Sequence, residues 1–393
     1  MGSSHAVDWS LDPEIDFLNH GSYGATPIAV LDYQGEQRAR MERKPVRFFQ
    51  RDLQSLVDLA MERLGAFVGS PVDDIGPVSN ATAGVNAVLR SLELEQGDEL
   101  LVTDHIYPAC KNTVDFVARR WGARVVLVDL PMVPEAGSTP ADLILAAVTD
   151  RTRLVLVSHV TSPTAVVLPV GEIVARLDER GVDTLVDGAH APGMVPLDVE
   201  AIGAAYYTGN CHKWPCAPKG AGFLYVRPDR QDRVVPAVIS HGYAGFEDGR
   251  SRHRQLFDWV GTDDPTALLS VPTAIDTLAA MVPGGWEEVR DRNHSLVLAG
   301  RAAVVTTLED IVATTLPADA VIGSMAAIAL PDTPDPLAER DPLQDRLWNA
   351  YRIEVPIVSW PGWPHRVVRI SAQLYNDLAQ YERLGAALRS ELS

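Results

Sequence analysis

Five short apolar segments rich in valine, leucine or tyrosine alternate with helical segments across the middle of the chain. They are ELLVTD (99–104), ARVVLVDL (123–130), RLVLVSHV (153–160), DTLVDGA (183–189) and AAYYTG (204–209), and helical periodicity marks 82–91 and 111–121. Strands of this length between amphipathic helices are typical of a parallel sheet that helices cover on both faces. The sequence therefore predicts an α/β fold with a mainly parallel central sheet, and KGAGFLYV (219–226) adds one more strand.

The flanking regions have a different character. Residues 1–30 are irregular and are predicted to contribute to the active site, and a polar helical pattern over 28–66 is interrupted near Pro45. Beyond Gly261 the pattern changes to long helices (265–281, 286–307), two strand-like pieces (321–330, 366–372) and a last helix from about Leu378. We therefore predict a large domain over 31–275 and a smaller C-terminal α+β domain over 276–393.

Charge and cysteine content limit the partners and the compartment. The 393 residues include 34 Lys+Arg and 52 Asp+Glu, a formal net charge of -18, which repels nucleic acid and anionic membrane surfaces. No stretch approaches ~18 unbroken apolar residues, and the start of the sequence lacks the pattern of a signal peptide. Three cysteines do not make a disulfide framework, so we expect a cytoplasmic protein.

The segment TGNCHKWPCAPKG (208–220) poses a choice between a metal site and a reactive lysine. Cys211, His212 and Cys216 supply three potential ligands, whereas structural zinc sites bring four in paired spacings, and the only other cysteine is Cys110. We therefore predict that no metal binds here and that Lys213 is the residue that matters.

Lys213 and Asp187 follow successive apolar strands, where ligands of open α/β sheets bind. Alone, Lys213 fits a solvated loop residue and Asp187 fits a turn or a helix cap. Together they match the needs of pyridoxal phosphate, because a lysine can hold the cofactor as an imine while a buried carboxylate pairs with its protonated ring nitrogen.

A phosphate cradle is expected where SNATAG (79–84) opens a helix. Its free backbone N–H groups, the helix dipole and the Thr82 hydroxyl suit a phosphate, although Asn80 and Thr82 are also ordinary helix caps. Thr208 and His212 can add phosphate contacts. Tyr107 is placed to stack on the cofactor ring, and His105 is the competing candidate.

Several motifs together resemble the class V aminotransferases, which are pyridoxal phosphate enzymes of fold type I. They are DGAH (187–190), HKW (212–214), the SNATAG loop and RISAQLYN (369–376). FLNHGSYGATP (17–27), PVRFF (45–49) and SHVTSPTAVVLPV (158–170) are most similar to the isopenicillin N epimerase branch. The resemblance extends from about Phe17 to Leu388.

The resemblance implies a role for each matching residue. Lys213 would hold the cofactor, Asp187 would pair with its ring nitrogen, and His190 would lie near the ring hydroxyl. Arg369 would clamp the substrate carboxylate, which also suits the planar fork of a guanidinium. The remaining predicted contacts are Asn80, Ala81, Thr82, Thr208 and His212 to the cofactor, Thr262 to the phosphate from the second subunit of a homodimer, and His20, Gly21, Arg47 and Tyr243 to the substrate.

The reaction is less constrained than the cofactor. No cysteine occurs over 355–368, where cysteine desulfurases of this class carry their nucleophile, so that reaction is excluded. The resemblance favours an epimerase of an amino-acid-containing intermediate in natural-product biosynthesis. A C–S β-lyase or a decarboxylating deaminase acting on a cysteine conjugate is the alternative, and a protein that binds the cofactor without turnover is an alternative of another class.

An epimerase needs a second acid/base group across the cofactor ring from Lys213. Tyr107, His20 and Tyr243 are candidates, and the sequence does not choose among them.

Overall fold

The computed structural model describes residues 3–133, 137–245, 249–312, 317–332, 341–361 and 364–393. Its largest element is a seven-stranded sheet in which only Gly222–Val226 runs against the other strands. The order is Ile75–Val78, Gly222–Val226, Tyr206–Asn210, Asp183–Gly188, Thr152–Ser158, Glu99–Thr103 and Arg124–Val128. The predicted mainly parallel sheet is thus confirmed.

Helices cover this sheet, and the central strands are buried almost throughout because they are covered on both faces. The predicted helices at 82–91 and 111–121 are present as Ala81–Ser91 and Pro108–Trp121. The second begins earlier than expected because proline is favoured at the first helical position. Shorter helices are Pro140–Ala146, Val170–Asp178, Val199–Ile202 and Arg252–Phe257.

The N-terminal helical region is interrupted where Pro45 predicts a break. Ile28–Arg43 ends at Lys44, and a turn at Pro45–Arg47 and a π-helical stretch at Phe48–Asp52 lead into Leu53–Val68. Before these helices, Asp16–Phe17 pairs in parallel with Ile353–Glu354. The beginning of the chain is therefore joined by backbone hydrogen bonds to its C-terminal part.

The C-terminal part holds a three-stranded antiparallel sheet, Ile357–Ser359, Arg366–Ser371 and Met325–Ala329. Gly285–Thr307, Pro342–Tyr351 and Leu378–Leu392 are its helices, whereas the preceding helices Thr266–Leu269 and Val271–Ala280 contribute mainly to the core of the large sheet. The strand expected over 321–330 is shortened to Met325–Ala329, because a turn of 3-10 helix occupies Asp319–Val321. This arrangement confirms the smaller α+β unit.

The division predicted after residue 275 lies inside the helix Val271–Ala280. Ile275 packs in the core of the large sheet, whereas Leu278 packs in a separate cluster with Trp9 and Tyr375. The bounds of the two units stay a prediction.

Among the described residues, no single helix has both the length and the apolar composition to cross a membrane. Thr266–Ala280 and Gly285–Thr307, bent by 71° relative to each other, meet those criteria only as a pair.

Candidate active site

Asp187 lies at the carboxyl end of the strand Asp183–Gly188, beside Thr208 of the next strand. It is 5% exposed, and its Oδ1 accepts a hydrogen bond of 3.0 Å from the Ala189 N–H. The Cys110 thiol lies 3.4 Å from its Oδ2. Burial raises the pKa of Asp187, so this carboxylate requires a cationic or hydrogen-bonding partner to stay charged.

Lys213 follows the strand Tyr206–Asn210 in a tight turn. The Cys216 N–H donates to the Lys213 carbonyl, and Cys216 has a left-handed φ of 59°. Gly24 packs against this turn so closely that a Cβ there would lie 2.7 Å from the Lys213 carbonyl oxygen. Loss of hydration lowers the pKa of Lys213 to about 7, and the positive charge of Arg369 adds to the effect. An amine with this pKa is partly neutral, and therefore nucleophilic, near neutral pH.

His190 lies beside the amine of Lys213. Its Nε2 lies 2.9 Å from the Lys213 Nζ, while its buried Nδ1 has no hydrogen-bond partner among the described residues. Burial lowers the pKa of His190 well below its ordinary value, so the ring is neutral. A buried polar atom without a hydrogen-bond partner destabilises the folded protein unless a bound group supplies that partner.

The N-terminus of the helix Ala81–Ser91 forms the other end of the site. Asn80 caps it, with Oδ1 accepting 2.9 Å from the Ala83 N–H, and the Ala81 N–H donates 2.8 Å to Asn210 Oδ1. His212 donates from Nδ1 to the Ala221 carbonyl, which leaves Nε2 as the acceptor of its neutral ring. The helix dipole favours an anion at this end.

Thr208 does not take the place that we predicted for it. Its hydroxyl is fully buried and donates 2.8 Å to the Phe223 carbonyl. The helix above it packs directly on this side chain, since a Cβ on Gly84 would lie 2.2 Å from the Thr208 Oγ1. Asn210 lies two residues further along the same strand. It lines the site at the position that we predicted for Thr208.

These groups surround a cavity of about 370 Å³. Its lining includes Asn80, Ala81, Thr82, Tyr107, Asp187, His190, Asn210, His212 and Lys213. Tyr107 is 44% exposed, so its ring is accessible for stacking against the ring of a bound cofactor. His105 is excluded from that role, because it is buried and bonds to Thr164 and to the Leu130 carbonyl.

A second cavity of about 380 Å³ adjoins the first and contains Arg369. Arg369 is 4% exposed and donates to the Ser162 carbonyl and, over 2.8 Å, to the Ser22 hydroxyl. Its Nε has no partner, and no described carboxylate pairs with it. Burial lowers the pKa of Arg369 to about 10, which leaves it charged at neutral pH. A buried, unpaired guanidinium beside a cavity is suited to a substrate carboxylate.

Lys213 lies where the two cavities meet, since it lines both of them. Tyr107, Ser22, Tyr23 and Ser162 are the other residues shared by the two linings. Gly21, predicted to contact substrate, lines the second cavity, and its N–H donates to the Ser371 hydroxyl.

His20 does not face either cavity. The Tyr375 hydroxyl donates to its Nδ1 over 2.8 Å, and its Nε2 donates to the Lys213 carbonyl over 3.1 Å. Burial lowers the pKa of His20 to about 3, so it is a neutral residue that supports the lysine turn. The structure therefore contradicts its predicted role as a substrate contact or as a second acid/base group.

Three predicted contacts lie outside both cavities of this chain. Arg47 is exposed and lies 3.7 Å from Asp52, and Tyr243 is exposed with the Arg252 guanidinium 5.4 Å from its ring. Neither side chain is among the residues that line the two cavities of this chain. Thr262 is also exposed, and its contact with a second subunit stays a prediction.

Cys211 and Cys216 do not form a metal site with His212. All three cysteines of the chain are buried as free thiols, and burial raises the pKa of each. Across the described ranges, no group of three or more His, Cys, Asp or Glu side chains is arranged to hold a metal ion.

The residues present fit pyridoxal phosphate. A buried carboxylate, a lysine of lowered pKa and an unpartnered imidazole nitrogen lie at one end of the first cavity. The N-terminus of the helix Ala81–Ser91 lies in the lining of the same cavity, where its dipole suits a phosphate.

Sequence reasoning missed several lining residues, notably Asn210, Ser22, Tyr23, Ser158 and Ser162. Asn210 and Ser158 end parallel strands, so a systematic search for polar residues at strand ends finds them. Ser22 and Tyr23 give no such signal, because they are placed by contacts with the distant C-terminal part.

Comparisons with known proteins agree with this geometry. A family model described as "Aminotransferase class-V" matches residues 26–299. The chain is 35% identical over 398 residues to an isopenicillin N epimerase of Amycolatopsis lactamdurans, covering 98% of this chain and 96% of that protein. It is 31% identical to a probable chloroplastic L-cysteine desulfhydrase of Arabidopsis thaliana, covering 96% and 83% respectively.

A solved structure shows the same fold. The cystine C–S lyase C-DES, in complex with its product cysteine persulfide, superposes with a TM-score of 0.79 at 24% identity and covers 96% of this chain and 97% of its own. The match of sequence and fold confirms the predicted resemblance: the chain belongs to the class V aminotransferases, a family of pyridoxal phosphate enzymes.

Proposed function

We propose that this enzyme inverts the configuration at Cα of the amino-acid part of a small molecule. The observation that carries the proposal is that Lys213 and Tyr107 line both cavities. An amine and a phenol therefore face the space where the cofactor cavity meets the Arg369 cavity. A group that removes a proton and a group that returns one are the minimum that a two-base epimerisation needs.

Arg369 orients the substrate in this proposal by binding its carboxylate. Its planar fork binds a carboxylate through two parallel hydrogen bonds, and Ser162 and Ser22 hold the guanidinium in place. A carboxylate anchored there directs Cα of the same amino acid towards Lys213, which lines the same cavity. The burial of Arg369 excludes water and strengthens this ion pair.

Lys213 is the base that removes the proton from Cα in this proposal. Pyridoxal phosphate, when bound, accepts the electron pair left on Cα and so makes that proton acidic. Lys213 removes the proton through its neutral amine, which its lowered pKa makes available near pH 7. His190, at 2.9 Å, orients the amine, and Asp187 supplies the negative charge that a protonated ring nitrogen requires.

Proton return is assigned to Tyr107. Burial raises the pKa of Tyr107, so its hydroxyl keeps its proton at neutral pH and can donate it. Of the three candidates that the sequence left open, His20 is fully engaged in hydrogen bonds and Tyr243 lies outside both cavities. Tyr23 also lines both cavities, although it is 77% exposed, and it serves as the comparison in the test.

C–S β-elimination from a cysteine conjugate is the second candidate. Relatives at 31% identity include a probable L-cysteine desulfhydrase, and the same proton removal by Lys213 begins both reactions. Elimination needs no acid on the opposite face of Cα, so the role of Tyr107 separates the two.

The decisive experiment incubates the loaded enzyme with amino-acid conjugates in deuterated water. Epimerisation gives deuterium at Cα with the opposite configuration and no loss of mass. Elimination gives pyruvate and a thiol, and oxidative decarboxylation gives carbon dioxide, ammonia and an aldehyde. Tyr107→Phe is expected to slow inversion about a hundredfold, within the usual range for general acids. If Tyr23→Phe alone has that effect, Tyr107 is not the acid.

We also propose that two copies of the chain form a homodimer with shared active sites. An exposed apolar surface that includes Val238 and Val260 lies next to Gly261, close to Thr262. Covering this surface with a second copy removes it from water and carries Thr262 towards the partner's phosphate end. Mixing Lys213→Ala subunits with Thr262→Ala subunits should restore some activity if the site is shared, and light scattering gives the mass.

A further inference from the structure

A third and larger cavity opens from the substrate cavity towards solvent. This outer cleft has a volume of about 890 Å³ and shares Ser22, Tyr23 and Pro356 with the cavity that contains Arg369. Ser22 accepts a hydrogen bond from Arg369 and also lines the cleft. A substrate whose carboxylate lies on Arg369 therefore has a continuous path into the outer cleft.

The lining of the outer cleft is apolar with an acidic end. Leu11, Ile15, Phe17, Trp348 and Pro356 supply apolar surface. The charged lining residues are Asp12 and Glu354, and no lysine, arginine or histidine is among them. Neither carboxylate forms an ion pair with any described residue. The adjoining cavity differs in that it contains two basic residues, Arg369 and Lys213, beside a single carboxylate, Asp104.

Asn19 supplies an independent sign of a missing ligand. It lines the cleft, is only 7% exposed, and its Oδ1 accepts no hydrogen bond from the residues that the structure describes. Its Nδ2 donates over 3.4 Å to Glu354 Oε1, so the amide group and the carboxylate are neighbours. The Asn19 Oδ1 has no donor, and among the described residues Glu354 has no side-chain donor other than this amide, which suits a group that brings several N–H bonds and a positive charge.

We propose that the outer cleft binds a cationic tail of the substrate, ending in an ammonium or a similar N–H-bearing cation that contacts Glu354 and Asn19. The substrate class is then an amino acid with a carboxylate at the reacting end, an apolar middle and a positive charge at the far end. This inference rests on the proposed function for its choice of an amino-acid head held by Arg369. It concerns the tail alone, so it does not depend on which reaction follows.

A neighbouring pocket provides the competing outcome. It shares Leu11, Phe17 and Tyr23 with the outer cleft and contains Arg38 and Lys219. Arg38 is paired with Asp264, and the Lys219 Nζ donates to the Gly24 carbonyl, so both cations already have partners. If the substrate tail were anionic and bound in this neighbouring pocket, the enzyme would prefer a negatively charged tail to a positively charged one.

The test measures binding with probes that cannot lose a proton from Cα. Three S-alkyl α-methylcysteines with tails of equal length, ending in ammonium, methyl or carboxylate, are titrated calorimetrically into the loaded enzyme. Ammonium and methyl ends have nearly the same size, so their difference reports charge and hydrogen bonding. We expect the ammonium probe to bind about fivefold more tightly than the methyl probe, as one partly exposed charge contact supplies, and the carboxylate probe to bind most weakly.

Glu354→Gln is expected to abolish most of the preference for ammonium, whereas Glu14→Gln, an exposed neighbour outside the cleft, leaves it intact. Equal affinity for all three probes, tightest binding of the carboxylate probe, or a preference that survives Glu354→Gln would overturn the proposal. The wild-type series stands by itself if the variant fails to fold. Probes that discriminate by charge while no conjugate is epimerised or cleaved would refute the proposed reaction and leave the cleft assignment standing.

Discussion

The thiol of Cys110 lies 3.4 Å from Oδ2 of Asp187, in the buried strand end that holds the cofactor's acidic partner. Burial and the adjacent carboxylate raise the pKa of Cys110 far above its ordinary value, so the thiol stays protonated and donates to Asp187. This bond lowers the pKa of a carboxylate that burial otherwise raises. A cysteine that the sequence marked only as part of an odd set therefore supports the central ion pair of the site.

Cys110→Ala should weaken cofactor binding about fivefold. The change removes a hydrogen bond to a charged group, which contributes about 1 kcal/mol when the donor is a weak one such as a thiol. Asp187 then becomes harder to ionise, and cofactor affinity, measured by fluorescence titration, falls most at low pH. Cys211→Ala is the matched control, because it deletes a buried thiol that no described carboxylate contacts. Equal losses in both variants would show that packing is the cause.

Attachment of the cofactor to cofactor-free enzyme should accelerate as pH rises through about 7 and then level off. The neutral amine is the nucleophile, and the pKa of Lys213 is lowered to about 7 from the ordinary value of 10.5. Below pH 7 the protonated amine is inert, and above it the reactive fraction is already complete. Stopped-flow absorbance between pH 5.5 and 9 measures the rate. A rate that keeps rising tenfold per pH unit up to pH 9 would contradict this environment for Lys213.

Arg369→Leu should lower kcat/KM for the carboxylate substrate by at least about thirtyfold, because truncating a buried charge-assisted pair costs about 2–5 kcal/mol. The same variant should lose little towards the corresponding carboxamide, which forms no ion pair with the wild-type arginine. Comparing the two substrates in wild type and variant isolates the charge interaction from any change in stability. An equal loss towards both substrates would place the effect in folding.

Thr208→Val and Asn210→Ala should affect different properties. The Thr208 hydroxyl is buried on the Phe223 carbonyl, so its removal should lower the free energy of unfolding by about 1–2 kcal/mol and leave cofactor affinity unchanged. Asn210 lines the cofactor cavity and holds the Ala81 N–H, so its truncation should weaken cofactor binding more than it lowers stability. Chemical denaturation and cofactor titration of both variants decide the matter. The opposite pattern would restore Thr208 as the phosphate contact.

The sequence was sufficient to predict the sheet and to locate charged residues at the ends of its strands. Strands buried on both faces read as continuous apolar runs, and a charged residue that follows such a run is conspicuous, as Asp187 is. Lys213 and Arg369 could be placed for similar reasons, since each lies in or next to a strand with apolar neighbours.

The predictions that failed, for Thr208 and His20, have the same physical cause. Thr208 and Asn210 lie on the same face of one strand, and the packing of Gly84 from another element decides which is covered. His20 and Ser22 occupy one turn, yet Tyr375 and the Lys213 carbonyl hold the first inside while Arg369 engages the second. Such choices depend on contacts between residues far apart in sequence, which local patterns do not contain.

The contact between Ser22 and Arg369 joins residues 347 positions apart. During synthesis, most of the large sheet can emerge and begin to fold before the strand Arg366–Ser371 exists. A nascent chain that lacks this strand also lacks Arg369, to which we assign the substrate carboxylate, and Tyr375, which holds His20 against the lysine turn. A product truncated before this strand therefore cannot hold a substrate carboxylate in the way proposed above.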